Sequence, residues 1–133
     1  MLLIKSSGGS GTLSHSLFTN FTGHSNAYTL SLDSSWAPQT PAPGWGIEYE
    51  YLTFSSFSGT CLDGVRRAPL QLFCPEELLC GNIEVKEFNV WTESGDKVLW
   101  KCQNAYGEGG CMNLFAGNGA YTSTKTVTAV ETG

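Results

Sequence analysis

SLFTNF (16–21), LTFSSF (52–57) and IEVKEF (83–88) are three six-residue blocks of one shape. Each carries an apolar residue third and sixth; the later two also carry one first, where Ser16 departs. The blocks recur at offsets of 36 and 31 residues. Each is followed, after a loop, by a second alternating segment: AYTLSL (27–32), APLQLF (68–73) and KVLWKC (97–102). A strand, a loop, a second strand and a return at an irregular period is the pattern of a solenoid. In a parallel β-helix each coil would lie ~4.8 Å above the last. Phe21, Phe57 and Phe88 would then form one inward ladder, and loops of unequal length would project outward without disturbing it. An antiparallel sandwich also accommodates short strands at this spacing, and the pattern alone leaves both architectures open.

The rest of the chain agrees with an all-β reading. No window sustains an i, i+3, i+4, i+7 apolar pattern, and Gly, Pro, Ser and Asn punctuate short alternating segments. SSWAPQTPAPGWG (34–46) carries three prolines. The repeat resumes directly after it, so it reads as an excursion between coils rather than a linker. Residues 1–115 are expected to form coils and 116–133 a polar C-terminal tail.

At 133 residues the chain suffices for one domain with a modest core. Its net charge of −5 gives no electrostatic footprint for nucleic acid or anionic lipid, so neither is expected as a partner. No apolar run approaches the ~18 residues of a membrane span, and MLLIKSSGGSG lacks the apolar core of a signal peptide. Only 14% of residues are charged and 12% are aromatic, a balance common in secreted β proteins and carbohydrate-active ones. Cys74 and Cys80 are six residues apart and Cys102 and Cys111 nine, spacings able to close small loops in an oxidising compartment; five reduced thiols is the alternative.

Four stretches carry a family resemblance: IKSSGGSGTLS (4–14), FTGHSNAYTLSLDSSW (21–36), GTCLDGVRRAPLQLFCPEELLC (59–80) and VWTESGDKVLWKCQNAYGEGGC (90–111). In this order they resemble the C-terminal part of fungal rhamnogalacturonan hydrolases, in the polygalacturonase-like group (glycoside hydrolase family 28). The Trp-Thr-Glu-Ser-Gly run followed by Cys-x-x-Ala-Tyr-Gly-x-Gly-x-Cys is the most specific of them. The resemblance implies a right-handed parallel β-helix, two disulfides (Cys74–Cys80 and Cys102–Cys111) and secretion of the parent protein. It leaves Cys61 without an obvious partner, as a buried thiol. It begins almost at Met1, inside a coil, which implies an incomplete N-terminal end whose unpaired strand would invite self-association.

The resemblance also implies a chemistry. Family members are inverting glycosidases acting on a backbone of galacturonic acid and rhamnose. One carboxylic acid protonates the leaving oxygen while a carboxylate about 6.5–9.5 Å away activates water. The family's catalytic acids lie in Asn-Thr-Asp-like and Asp-Asp-like segments upstream of the part matched here, so no catalytic residue is assigned and the chain alone is expected to be inactive. No cofactor and no metal are expected.

Substitutes within the chain are few. Asp33, Asp63 and Asp96 are isolated beside Ser or Gly and read as turn residues. Glu93 with Asp96 is an acid pair only in sequence, because TESGD (92–96) reads as an outward turn and QNAYGEGG (103–110) as the loop after the next strand. IEYEY places Glu48 and Glu50 on one strand face, with Glu84 a coil above as a possible third. Solvated outward positions are the commoner fate of such glutamates. GHSN (23–26) aligns with a Gly-His-x-Asn-Ala-Tyr segment rather than a catalytic histidine motif, so His24 receives no catalytic role; His15 reads as structural.

Lys5 matches the lysine of the group's Arg-Ile-Lys segment, with Leu3 in place of the arginine. The match implies substrate binding by Lys5 to a uronate carboxylate; an ordinary solvated lysine is the alternative. Trp36 and Trp45 flank the proline-rich excursion and could stack on sugars or simply pack. Asn20-Phe21-Thr22 is an N-glycosylation sequon. The competing functional reading is a non-catalytic pectin-binding or decoy β-helix. A fragment with no function of its own is the third.

Overall fold

The computed structural model describes residues 1–6, 8–33, 42–63, 65–76, 78–95, 97–114 and 119–127, with the side chains of 8, 9 and 42–45 set aside. Nine strands appear among these residues: β1 (Leu2–Lys5), β2 (Gly8–Asn26), β3 (Leu30–Asp33), β4 (Ala42–Cys61), β5 (Leu70–Phe73), β6 (Cys80–Thr92), β7 (Val98–Gln103), β8 (Ala105–Glu108) and β9 (Thr122–Val127). They form two sheets, ordered β1-β3-β5-β7-β9 and β2-β4-β6-β8. Every pairing is parallel except β7 with β9. The chain therefore visits one sheet with a short strand, crosses to the other with a longer one, and returns one level up. This all-β stack of parallel strands is compatible with a β-helix and excludes the antiparallel sandwich.

The repeat of the sequence is the register of the stack. Phe21 pairs with Phe57 and Phe57 with Phe88. Their rings lie 4.7 Å and 5.8 Å apart, within the range at which aromatic pairs add to simple burial. Phe18 stacks on Phe54 at 5.3 Å, and Val85 continues that row. In the other sheet Leu30, Leu70 and Trp100 align, as do Leu32, Leu72 and Cys102. Leu30, Leu32, Leu52, Phe54, Phe57, Leu70 and Leu72 have no solvent exposure. The core is thus a set of like-on-like apolar columns.

The six-residue blocks do not stand alone as short strands, as their pattern suggests. They lie inside β2, β4 and β6, which run 19, 20 and 13 residues. A straight strand of that length could not close around a core. These bend at residues with left-handed backbone: His15, Tyr51 and Asn82 (φ 52°, 53° and 54°), then Asn20, Ser56 and Glu87 (φ 63°, 59° and 52°). The register puts each trio at one height, between Ser14↔Glu50↔Gly81 and Ser16↔Leu52↔Ile83 for the first, and between Thr19↔Ser55↔Lys86 and Phe21↔Phe57↔Phe88 for the second. Left-handed backbone costs a non-glycine residue about 1–2 kcal/mol. Asn and His tolerate it best, yet Tyr51, Ser56 and Glu87 hold it too. The flanking apolar columns over-determine their conformation.

Two expectations need correction. QNAYGEGG does not form a plain loop: Ala105–Glu108 is β8, which pairs parallel with β6 and begins a fourth coil. The glycines there give close approach rather than slack. A Cβ on Gly107 would sit 1.7 Å from the Ile83 carbonyl oxygen, and one on Gly109 2.0 Å from that of Val85. Second, Glu84 does not lie over Glu48 or Glu50. It pairs with Thr53 below and Glu108 above, while Glu50 pairs with Gly81. The offset between coils falls from 36 to 31 residues at β6 because the connection is shorter, and that change moves Glu84 out of line.

The C-terminal end is fastened in three ways. Disulfides Cys74–Cys80 and Cys102–Cys111 close the β5–β6 connection and tie β7 to the turn after β8; each restricts the unfolded chain by ~2–3 kcal/mol in the loop-entropy account. Thr122–Val127, within the polar 116–133 segment, adds β9 antiparallel to β7, with Lys125 Nζ 5.0 Å above the Trp100 ring. Asn104, buried and left-handed at φ 56°, joins the layers. Its Nδ2 donates to the Cys74 carbonyl at 2.9 Å and its Oδ1 accepts from the Tyr121 amide at 2.8 Å.

At the other end β1 and β2 each have one strand neighbour among the described residues, β3 and β4 respectively. Leu2, Ile4, Leu13, Phe18 and Phe21 are only partly buried there.

Close approach and left-handed geometry can be separated by mutation. Gly107→Ala is expected to cost more than about 3 kcal/mol, because the methyl group meets backbone. Gly95→Ala, at φ 80° with open space around it, is expected to cost ~1–2 kcal/mol. Urea unfolding of the two variants measures both; equal losses would mean that β8 does not sit on β6 as described.

Candidate functional site

The outward faces of the stack carry the polar chemistry, in three groups. The first is the acid pair on β4. Glu48 and Glu50 alternate outward around buried Tyr49, whose hydroxyl donates to Ser6 Oγ at 2.8 Å. The Glu48 carboxyl hydrogen-bonds that of Glu50, and this contact, with the neighbouring charge, raises its pKa above the usual carboxylate range. A carboxyl beside another takes up a proton more readily, because protonation relieves the repulsion between them. Inversion instead needs an acid and a base about 6.5–9.5 Å apart with a water between them, whereas this contact turns the two carboxyls toward each other.

The second group was not anticipated. His24 Nε2 lies 3.0 Å from Glu93 Oε1, and His24 Nδ1 lies 3.3 Å from Thr60 Oγ1. Ser25 donates its hydroxyl to Glu93 at 2.5 Å and its amide to Thr60 Oγ1 at 2.8 Å. The cluster joins the end of β2, the end of β4 and the turn after β6. It has the connectivity of a hydroxyl–imidazole–carboxylate relay, but the His24 side chain is 82% exposed and that of Glu93 53%. Relay chemistry depends on a water-excluded site where charge is stabilised by fixed dipoles, which these exposures do not provide. We read the cluster as a surface clasp, in the range of ~0.2–1 kcal/mol for an exposed ion pair. Glu93 thus faces His24 rather than an acid partner, and Asp96 lies outside the described residues.

The third group follows the second bend. Asn20, Thr22, Ser56, Ser58, Glu87 and Asn89 line a groove of about 310 Å3 across three levels. Ser56 Oγ donates to Glu87 Oε2 at 2.6 Å. Asn20, the sequon asparagine, is exposed at the rim. Further along, Glu84 pairs with Lys86 at 3.1 Å and lines another groove with Glu108.

The remaining candidates lie outside these three groups. Lys5 is exposed at the end of β1, in register with Asp33. Asp63 is a turn former: its Oδ1 accepts the amides of Val65 at 2.8 Å and Arg66 at 2.7 Å, and these bonds hold its carboxyl below the usual range. His15 stacks on Tyr51 at 4.8 Å, a structural role at the first bend. Cys61 is a buried free thiol, pushed up by desolvation. Trp36 and the side chain of Trp45 lie outside the described residues. No cluster of three or more His, Cys, Asp or Glu able to hold a metal occurs among the described residues.

Comparison with known proteins gives these features a context. No protein-family model matches the chain. Its whole length is similar to fungal rhamnogalacturonases. It is 41% identical over 133 residues to probable rhamnogalacturonase A of Aspergillus niger, all of this chain and 30% of that protein. It is 42% identical over 134 residues to probable rhamnogalacturonase E of Aspergillus flavus, again 30% of that protein. It is 39% identical over 133 residues to rhamnogalacturonase A of Emericella nidulans, 26% of that protein. The resemblance seen in four stretches of sequence therefore extends to every part of the chain, which spans under a third of the length of these relatives.

Because Glu48 has a raised pKa in the fold, its contribution is fully present at low pH and is lost as pH rises through that value. Glu48→Gln is expected to raise Tm relative to wild type at pH 7, with the gap closing at acidic pH, where Glu48 is protonated. Thermal melts at the two pH values check this; a lower Tm at pH 7 would show that the ionised carboxylate has a stabilising partner.

Proposed function

We propose that this chain is the C-terminal part of a secreted pectin-degrading glycoside hydrolase, folded as a right-handed parallel β-helix. In the full-length protein, α-glycosidic bonds of rhamnogalacturonan or polygalacturonan would be hydrolysed with inversion. The observation that carries the reading is similarity of about 40% identity to rhamnogalacturonases along every residue of the chain. The parallel in-register stack and two disulfides support it, since disulfides persist in oxidising compartments.

In this reading the catalytic carboxylates belong to coils outside the chain. The Glu48–Glu50 contact supports that, because the two carboxyls engage each other rather than flank a water. Lys5 would present a charged donor to a uronate carboxylate, and Asn20 would carry an N-linked glycan at the rim of its groove. The half-exposed Leu13, Phe18 and Phe21 on β2, whose strand neighbour among the described residues is β4, would accept another coil, or a second copy when the chain is isolated. The same Glu48–Glu50 geometry favours a second reading, a pectin-binding β-helix without catalysis.

Reducing-end assays on rhamnogalacturonan and polygalacturonate test the proposal. The chain alone is expected to release none, and a longer product containing upstream coils is expected to release them. Hydrolysis by the chain alone that disappears in Glu48→Gln or Glu50→Gln would overturn it. Light scattering of the chain should show mass rising with concentration; a monodisperse monomer would contradict association through β2.

A further inference from the structure

Seven basic residues are spread over this acidic chain, and two of them, Arg66 and Arg67, are adjacent in the connection between β4 and β5. That connection is ordered by its own chemistry. Asp63 Oδ1 accepts the amides of Val65 and Arg66, an Asx turn that sets the direction of the two arginines. The turn also occupies one oxygen of Asp63, the one carboxylate among the described residues that line the groove beside them. The Arg67 guanidinium lies 5.2 Å above the ring of Tyr28, one coil below. Leu62, Asp63, Arg66 and Arg67 line a groove of about 410 Å3. Both arginines are exposed, and among the described residues neither is within ion-pair distance of a carboxylate. Leu62 and Val65, at 64% and 40% exposure, place apolar surface beside the charges.

We infer that this groove is a binding site for a carboxylate-bearing saccharide, with Arg66 and Arg67 holding one uronate carboxylate. Guanidinium presents a planar fork that matches a carboxylate with two parallel hydrogen bonds. The Tyr28 ring holds Arg67 in place by cation–π attraction, so less side-chain freedom is lost on binding. Leu62 offers the apolar contact that the C–H face of a pyranose requires. A neutral sugar would bring the guanidiniums no anion to add to the nearby Asp63 charge, and a bare inorganic anion would leave Leu62 uncovered. The site is separate from Lys5: Tyr28 and Arg67 precede the starts of β3 and β5, while Lys5 stands at the finishing end of the same sheet, level with Asp33 and Phe73. Choosing a polyuronide as ligand rests on the pectin reading above; the groove and its charges do not.

Titration calorimetry of the chain with trigalacturonate, its methyl ester and neutral maltotriose tests the site. We expect trigalacturonate to bind, its methyl ester and maltotriose to bind at least about tenfold more weakly, and added salt to weaken the acid form. Arg66→Ala with Arg67→Ala should weaken binding by about tenfold or more, at an unchanged melting temperature; Arg66→Lys with Arg67→Lys should recover part of it, since lysine keeps the charge without the fork. Equal binding by the double alanine variant, equal binding of the methyl ester, displacement by equimolar sulfate, or no binding at all would each overturn the inference. Loss of binding in Lys5→Ala alone would place the uronate at β1 instead. The hydrolase reading fails separately, in the reducing-end assay.

Discussion

The fold depends on the backbone bending at matched heights in successive coils. His15, Tyr51 and Asn82 form one column of left-handed residues, and Asn20, Ser56 and Glu87 form another. Each such residue is unfavourable alone by about 1–2 kcal/mol. Together they let three long strands turn around a common interior, and the burial that follows offsets their cost. Complete burial of Leu52, Phe54 and Phe57 is possible because Ser56 turns the chain between the last two. A coil without its bend would carry its next phenylalanine to the outer surface.

This constraint explains which parts of the sequence were readable. In a straight strand inward residues recur every second position. In LTFSSF the first inward step, Leu52 to Phe54, spans two residues and the second, Phe54 to Phe57, spans three. IEVKEF repeats this at Ile83, Val85 and Phe88. The third-and-sixth pattern is the trace of a left-handed residue inside the block, so it marked the ladder while hiding that the strand continues through it. The pairing of the cysteines was legible through the family resemblance.

What stayed hidden was set by contacts between levels. The fourth coil rests on Gly107 and Gly109 lying against the carbonyls of Ile83 and Val85, and glycine in sequence reads equally well as a loop. Asn104 looked like a loop residue, and only the stack shows it bonded both to Cys74 in one direction and to Tyr121 in the other. Glu48 and Glu50 were identifiable as neighbours because they share a strand. Glu84 was misplaced because coils of unequal length change the offset. Ser25 and Glu93 meet across 68 residues of sequence, which only the stacking of coils brings together. The twin arginines were visible throughout; their meaning depends on the Asx turn at Asp63 and the ring of Tyr28 one level below.

The central claim is that three successive coils stack in parallel with Phe57 between Phe21 and Phe88. Nuclear Overhauser contacts among side-chain-labelled phenylalanines measure this directly. With ring centroids 4.7 Å and 5.8 Å away, the Phe57 ring is predicted to show cross-peaks to both neighbours, which should lack cross-peaks to each other. Cross-peaks from Phe57 to only one of them, or a direct Phe21–Phe88 contact, would contradict the stack.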